Sequence, residues 1–263
     1  MKKYLFVLSA LVLFAFSSCQ KFAGNPISKD FTIESSYTEL EVEDAFDVTV
    51  SDAVDVITVT VGEKLMPKVV VEVVENTLKI HFKGVNHSNY GTDLKVVIPY
   101  NADLTSVELS GASEFHSEYG LEGEKVKIDL SGASDFYCDI EADEIEMDLS
   151  GASNIKGYVD ATDLDLEMSG ASTAILEGQV STLEIDLSGA SDIKKTINGT
   201  RYGLACDQCE GSVSGASNVY IHCDGRICVN LSGASDLHYT GDGISSGCST
   251  TSGGSSISGP EHP

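Results

Sequence analysis

The tetrapeptide Ser-Gly-Ala-Ser occurs seven times in this chain, beginning at Ser110, Ser131, Ser150, Ser169, Ser188, Ser214 and Ser232. The spacings are 21, 19, 19, 19, 26 and 18 residues. Self-similarity at a nearly fixed period of about 20 residues marks stacked units, none of which can bury its apolar face alone. Strict alternation precedes each copy, as in Ile145, Met147 and Leu149, or Leu183, Ile185 and Leu187. Acidic or polar residues fill the positions between, so each run reads as a strand with one wet face. One polar residue follows each copy, then an apolar one: Phe115, Phe136, Ile155, Ile193, Val219 and Leu237, with Ala174 the weak member. Each unit is therefore strand, corner, strand.

A helix needs apolar positions three and four apart over ten or more residues, and no window here supplies them convincingly. A leucine-rich repeat would need its own consensus and a helical return. Nineteen residues hold two or three short strands with turns. The spacing predicts an all-β fold, a parallel β-helix or solenoid with a strand-rich N-terminal cap, its repeats about 4.8 Å apart. Parallel crossovers favour a right-handed path. An antiparallel sandwich is the alternative, but it gives no reason for one corner to recur at this interval.

The corner glycines, Gly111, Gly132, Gly151, Gly170, Gly189, Gly215 and Gly233, are expected to take positive φ or to meet another backbone closely. The alanines are small enough to point inward, and the serines can bond neighbouring backbone groups and one another up the stack. A serine nucleophile is the competing reading. Seven near-identical nucleophiles without a Gly-x-Ser-x-Gly elbow argue against it.

Residues 1–18 read as a lipoprotein signal peptide, with Lys2 and Lys3 before an apolar stretch over 4–16 that is too short to span a bilayer. It ends in Phe16-Ser17-Ser18-Cys19, which resembles a lipobox with Cys19 as the lipidated residue. Ordinary secretory cleavage and an uncleaved anchor are the alternatives. Residues 19–30 form a tether, 31–105 a strand-rich N-terminal region, 106–240 the repeat body and 241–263 a Gly/Ser-rich end. Strands are expected over 37–42, 46–50, 56–61, 69–74, 77–82 and 94–98, with a hairpin turn at Glu75-Asn76, a helical turn within 62–68 and a polar loop over 84–91. Consecutive hairpins predict an antiparallel layer covering the first unit, because bare stack ends are aggregation-prone. The part near 253–257 is expected to cover the last unit.

With 16 basic residues against 41 acidic ones, the net charge of −25 excludes nucleic acid as a partner and disfavours docking on anionic lipid. Two outward columns carry acids: Glu108, Asp129, Asp148, Glu167 and Asp186, and Glu114, Asp135, Asn154, Asp192, Asn218 and Asp236, interrupted by Thr173. Stacked carboxylates repel, so their pKa values should rise or a cation such as calcium should bridge them; a solvated face is the simpler reading. The six histidines show no ligand spacing. Evenly spread acids and the absence of Trp speak against a carbohydrate-active enzyme. Neither an enzyme nor a cofactor or metal is expected. Tyrosines, including Tyr100, Tyr119, Tyr137 and Tyr158, can supply a contact patch.

Besides Cys19 there are six cysteines. Cys206, Cys209, Cys223 and Cys228 cluster around one tetrapeptide, and a disulfide among them is expected in an exported chain, with free thiols or a structural zinc as alternatives. Stacking should bring Cys209 near Cys228. Cys138 and Cys248 have no evident partner. A disulfide here would pin the long loop over 198–206.

The lipobox, the strand-rich start, the repeated Ser-Gly-Ala-Ser and the closing Ser252-Gly253-Gly254-Ser255-Ser256-Ile257 together resemble the auto-transporter adhesin, head GIN domain family of Bacteroidetes-type bacteria. The resemblance covers about 31–257 and implies a β-solenoid body and an envelope location; the family offers no catalytic residues to carry over. The expectation is an outer-membrane lipoprotein, held to the membrane by its lipid, whose rigid non-catalytic body binds a host or envelope glycan or protein. A structural or stress-related envelope protein, a lipid-binding protein and, less readily, a carbohydrate-active enzyme are the alternatives. Nothing in the sequence sets an oligomeric state.

Overall fold

The computed structural model describes residues 23–84, 94–194, 203–245 and 247–260. The signal segment with Cys19, nearly all of the loop over 84–91 and much of that over 198–206 lie outside them. The N-terminal third holds β1 (Pro26–Phe31), β2 (Glu39–Val42), β3 (Asp47–Ser51), β4 (Ile57–Gly62), a 3-10 turn (Met66–Lys68), β5 (Val69–Val74), β6 (Thr77–Phe82) and β7 (Lys95–Pro99). The repeat region holds β8 (Ser106–Leu109), β9 (Glu114–His116), β10 (Leu121–Leu130), β11 (Asp135–Tyr137), β12 (Ile140–Leu149), β13 (Asn154–Met168) and β14 (Thr173–Leu187). It continues through β15 (Asp192–Ile193), β16 (Leu204–Val213), β17 (Asn218–Leu231), β18 (Asp236–Thr240), β19 (Thr250–Thr251) and β20 (Ser256–Ser258).

Successive repeat units pair in parallel and in register. Ile128 lies beside Met147, Met147 beside Leu166, and Leu166 beside Ile185. Each unit, here called a rung, places one strand segment before its corner and one after it. The longest strands, β13 and β14, also carry a segment between these two faces, pairing Val159 with Gly178 and Asp160 with Gln179. The alternation read in the sequence buries Ile145, Met147, Leu149 and their equivalents as columns. Phe115 stacks on Phe136 with ring centroids 5.2 Å apart in the column behind the other face.

The corner glycines carry φ between +74° and +79°. Each corner lies against the one before it: a Cβ on Gly170 would stand 2.3 Å from the Gly151 carbonyl oxygen. The alanine N–H donates to that same carbonyl, as from Ala171 to Gly151 at 2.7 Å. Burial at the corner differs from the sequence expectation. Ala112 and its equivalents are exposed, and the fourth residue, Ser113 and its equivalents, is buried instead. Its hydroxyl donates to the carbonyl of the first serine, 2.8–3.0 Å away, in all seven corners. A buried hydroxyl needs such a partner, and the tight turn supplies one three residues back. An inward alanine would leave that carbonyl without this donor.

The N-terminal region is threaded differently from a simple antiparallel cover. Antiparallel pairs do exist: β1 with β4, β4 with β7, and β5 with β6 through the turn where Glu75 has φ +59°. But β2 and β3 form a rung that pairs in parallel with β8 and β9 on one side and with β6 and β7 on the other. The earliest rung in sequence is thus second in space. Its corner is Glu43-Asp44-Ala45-Phe46, with Asp44 at φ +76° and its carbonyl bonded by Ala112 N–H at 2.8 Å. Asp is among the few non-glycine residues that visit this region readily. At the other end, Gly253 (φ +73°) stacks on Gly233, and β20 pairs in parallel with β18, so the terminal segment adds a further rung.

Candidate functional site

Outward residues form two columns. Before the corner, Glu41, Glu108, Asp129, Asp148, Glu167 and Asp186 lie in consecutive register, closed at one end by Lys79 paired with Glu41 and at the other by Ser212 donating to Asp186 at 2.7 Å. The serines that open the corners form the other wall of a shallow groove of about 520 Å³. Partial burial and neighbouring acids raise Glu108, and burial together with a hydrogen bond that protonated Asp148 donates to Asp129 pushes Asp148 up to about 6. In the second column amides and hydroxyls interleave with the acids: Asn154 donates to Asp135 at 2.7 Å and Asn218 to Asp192 at 2.8 Å.

A second groove, of about 760 Å³, runs past β3, β9 and β11, with Thr49, His116, Tyr119, Tyr137, Asp139 and Lys156 in its walls. The His116 and Tyr137 rings stack at 4.5 Å because they are register partners in adjacent rungs. Tyr119 is fixed from outside its own rung. Its hydroxyl donates to Asp52 Oδ1 at 2.9 Å, and its ring packs against Tyr100 at 5.0 Å. Even so, Tyr119 is 37% and Tyr100 44% exposed, and Tyr158, which follows Gly157 of the groove wall in sequence, is 48% exposed. These are three of the six exposed large hydrophobic residues among the described residues. A tyrosine held at its tip, as Tyr119 is, offers wide contact area with little ordering cost on binding.

Asp47, Glu114 and His116 lie beside this groove with ligand atoms all within 4.8 Å of one another, and His116 Nε2 is 2.6 Å from Glu114 Oε1. One imidazole and two carboxylates can hold a divalent ion. Linear spacing missed this trio, because Asp47 reaches Glu114 only through the β3–β9 pairing.

The predicted cysteine cluster divides. Cys228 bonds to Cys248, with Cα atoms 5.1 Å apart, and not to Cys209. Cys206, Cys209 and Cys223 are free and buried, as is Cys138, whose thiol burial pushes up to about 12. Cys209 lies five residues before its tetrapeptide and Cys228 four before the next, and a one-residue offset turns a strand side chain to the opposite face. Cys209 therefore faces the core beside Ile227 and Leu183. Cys248 lies four residues before Ser252, which opens the terminal corner, so the same count would have matched it to Cys228.

The groove and columns belong to an all-β repeat protein of parallel, in-register rungs. The chain is a member of the family described as "Putative auto-transporter adhesin, head GIN domain", whose model matches residues 36–243. Its fold is similar to a crystal structure described as a putative adhesin from Parabacteroides distasonis (22% identity, TM-score 0.72, 90% of this chain and 95% of that one). A putative adhesin from Parabacteroides merdae (20%, 0.76, 90% and 98%) and a protein described as a putative lipid binding protein from Parabacteroides distasonis (21%, 0.76, 90% and 98%) are also similar. No curated protein matches the sequence.

Proposed function

We propose that this chain is an envelope protein, exported and anchored by a lipid on Cys19, whose stacked rungs form a right-handed β-solenoid that serves as a non-catalytic binding surface. The aromatic groove is its contact site, and the ligand is a neutral glycan of the host or envelope. The single observation that carries this reading is Tyr119, fixed by Asp52 and Tyr100 yet open to the groove. Ring faces suit the apolar faces of sugars, while Lys156, Asp139 and the Tyr137 hydroxyl offer polar contacts around them. The net charge of −25 disfavours acidic polysaccharides. The corner serines are poor candidates for chemistry, since each buried hydroxyl is committed to a carbonyl.

An array of neutral and acidic glycans, with and without divalent cations, tests this reading. Neutral binders that weaken about tenfold in Tyr119→Ala support it, corresponding to about 1.4 kcal/mol. Binding unchanged by that substitution, or confined to proteins or acidic glycans, refutes it. The similarity to a protein described as lipid binding favours a second reading. The hollow lined by Ile33, Tyr37, Val56, Pro99 and Tyr100 is its candidate site, but at about 230 Å³ it falls below the roughly 300–1,000 Å³ of ordinary ligand pockets.

A further inference from the structure

Cys206 and Cys223 are register partners in adjacent parallel strands, β16 and β17, and both side chains are buried in the same core column above Val180. Cys228 and Cys248 stand in the same relation one rung further on. The β17–β19 register that sets Asn230 beside Thr250 sets Cys228 beside Cys248, and that pair is bonded at a Cα separation of 5.1 Å. In-register neighbours in a sheet lie about 4.8 Å apart, inside the range a disulfide spans. The molecule therefore already contains one disulfide of this rung-to-rung kind.

We propose that Cys206 and Cys223 form a second disulfide, so that two consecutive staples tie β16 to β17 and β17 to the terminal rung. Both staples fall at the end of the stack where the last rung contributes only the short strands β19 and β20. The first of them ties the longest unit, the 26 residues over 188–213 that contain Cys206, to the unit that follows. Cys209 is the rival within this cluster, since its thiol is hydrogen-bonded to that of Cys206 three residues away on the same strand, but across the rungs its register partners are Leu183 and Ile227, whereas Cys206 has Cys223 directly opposite.

The reaction is thiol–disulfide exchange with an external disulfide. One thiolate attacks it and displaces a thiol, giving a mixed disulfide. The second cysteine then attacks that bond and releases the other thiol. Two cysteine thiols are oxidised, one external disulfide is reduced to two thiols, and the protons pass to those products. Both side chains are sealed in the folded core; a hydrogen bond with Cys209 and burial hold the Cys206 thiol protonated, and a hydrogen bond with Cys206 and burial hold that of Cys223. Exchange therefore takes place while the rung is closing, and a chain folded under reducing conditions keeps its thiols.

The full chain, reduced and unfolded, is refolded in a glutathione redox buffer, unfolded again without reductant, alkylated and cleaved at Asp and Glu. Asp207, Glu210 and Asp224 separate the three cysteines onto different peptides. With cleavage on the C-terminal side of these acids, the expected product is peptide 193–207 joined to 211–224, with Cys209 alkylated on 208–210. The same link is expected in Cys209→Ser. Alkylation of Cys206 and Cys223, a link through Cys209, or loss of the link in Cys209→Ser would overturn the proposal.

Discussion

Gly170→Ala and Gly120→Ala should differ several-fold in cost although both glycines sit at φ +76°. A left-handed conformation costs a non-glycine residue about 1–2 kcal/mol, and that part is common to both variants. At Gly120 the new Cβ meets only the Asp139 carbonyl oxygen at 3.5 Å, an ordinary contact. At Gly170 it would lie 2.3 Å from the Gly151 carbonyl oxygen and 3.0 Å from its nitrogen, and backbone cannot swing aside as a flexible side chain can. The corner must open, which weakens the Ala171-to-Gly151 hydrogen bond of 2.7 Å and loosens the core beneath it. A lost hydrogen bond adds about 1 kcal/mol and imperfect core contact another 1–2 kcal/mol, so Gly170→Ala should cost about 3–5 kcal/mol in all. With a urea m-value of about 2–3 kcal/mol/M, the unfolding midpoint should fall by more than about 1 M for Gly170→Ala and by roughly 0.5 M for Gly120→Ala. Equal shifts would refute the idea that close approach between rungs, rather than φ alone, demands glycine at the corner.

Other consequences follow from the same geometry. Asp148 has a folded pKa raised from 3.8 to about 6, so the folded state gains stability from protonation, present at low pH and lost as pH rises through that window. Asp148→Asn should therefore raise the unfolding free energy at pH 7.5 by about 1 kcal/mol after solvent screening, and flatten the pH profile between about 4 and 6. Cys248→Ser should remove about 3 kcal/mol of unfolded-state restriction over a loop of 20 residues, with hydrogen exchange rising first at Thr250–Thr251 and Ser256–Ser258. Asp44→Gly should relieve about 1 kcal/mol of conformational cost but lose the carboxylate that accepts Phe82 N–H at 2.7 Å, for a net loss of about 1 kcal/mol by urea titration.

The repeat body was legible because one tetrapeptide marks each corner and a period-two pattern marks each buried column. Those signals carry over directly into the in-register pairs from Ile128 to Ile185. The N-terminal rung was not legible, because its corner keeps the backbone shape while changing three of four residues. Phe46 takes the inward place that serine holds elsewhere and packs on Phe82 at 4.8 Å. Glycine is not required at Asp44, since the rung on its other side is joined by the longer connection over 83–94 instead of a tetrapeptide corner. The inward alanine was misjudged for a related reason. Size alone favoured Ala112, but the carbonyl of Ser110 needs a donor inside the turn, and only Ser113 supplies it. In the groove, the tyrosines were visible as a set, whereas their gathering was not, because Asp52 and Tyr119 are 67 residues apart in sequence.

Scalar couplings across hydrogen bonds, measured by NMR on the perdeuterated chain, test the parallel stacking itself. The account predicts couplings from the amides of Ala152, Ala171 and Ala190 to the carbonyl carbons of Gly132, Gly151 and Gly170 respectively. Couplings that instead join these amides to carbonyls of antiparallel neighbours would contradict it.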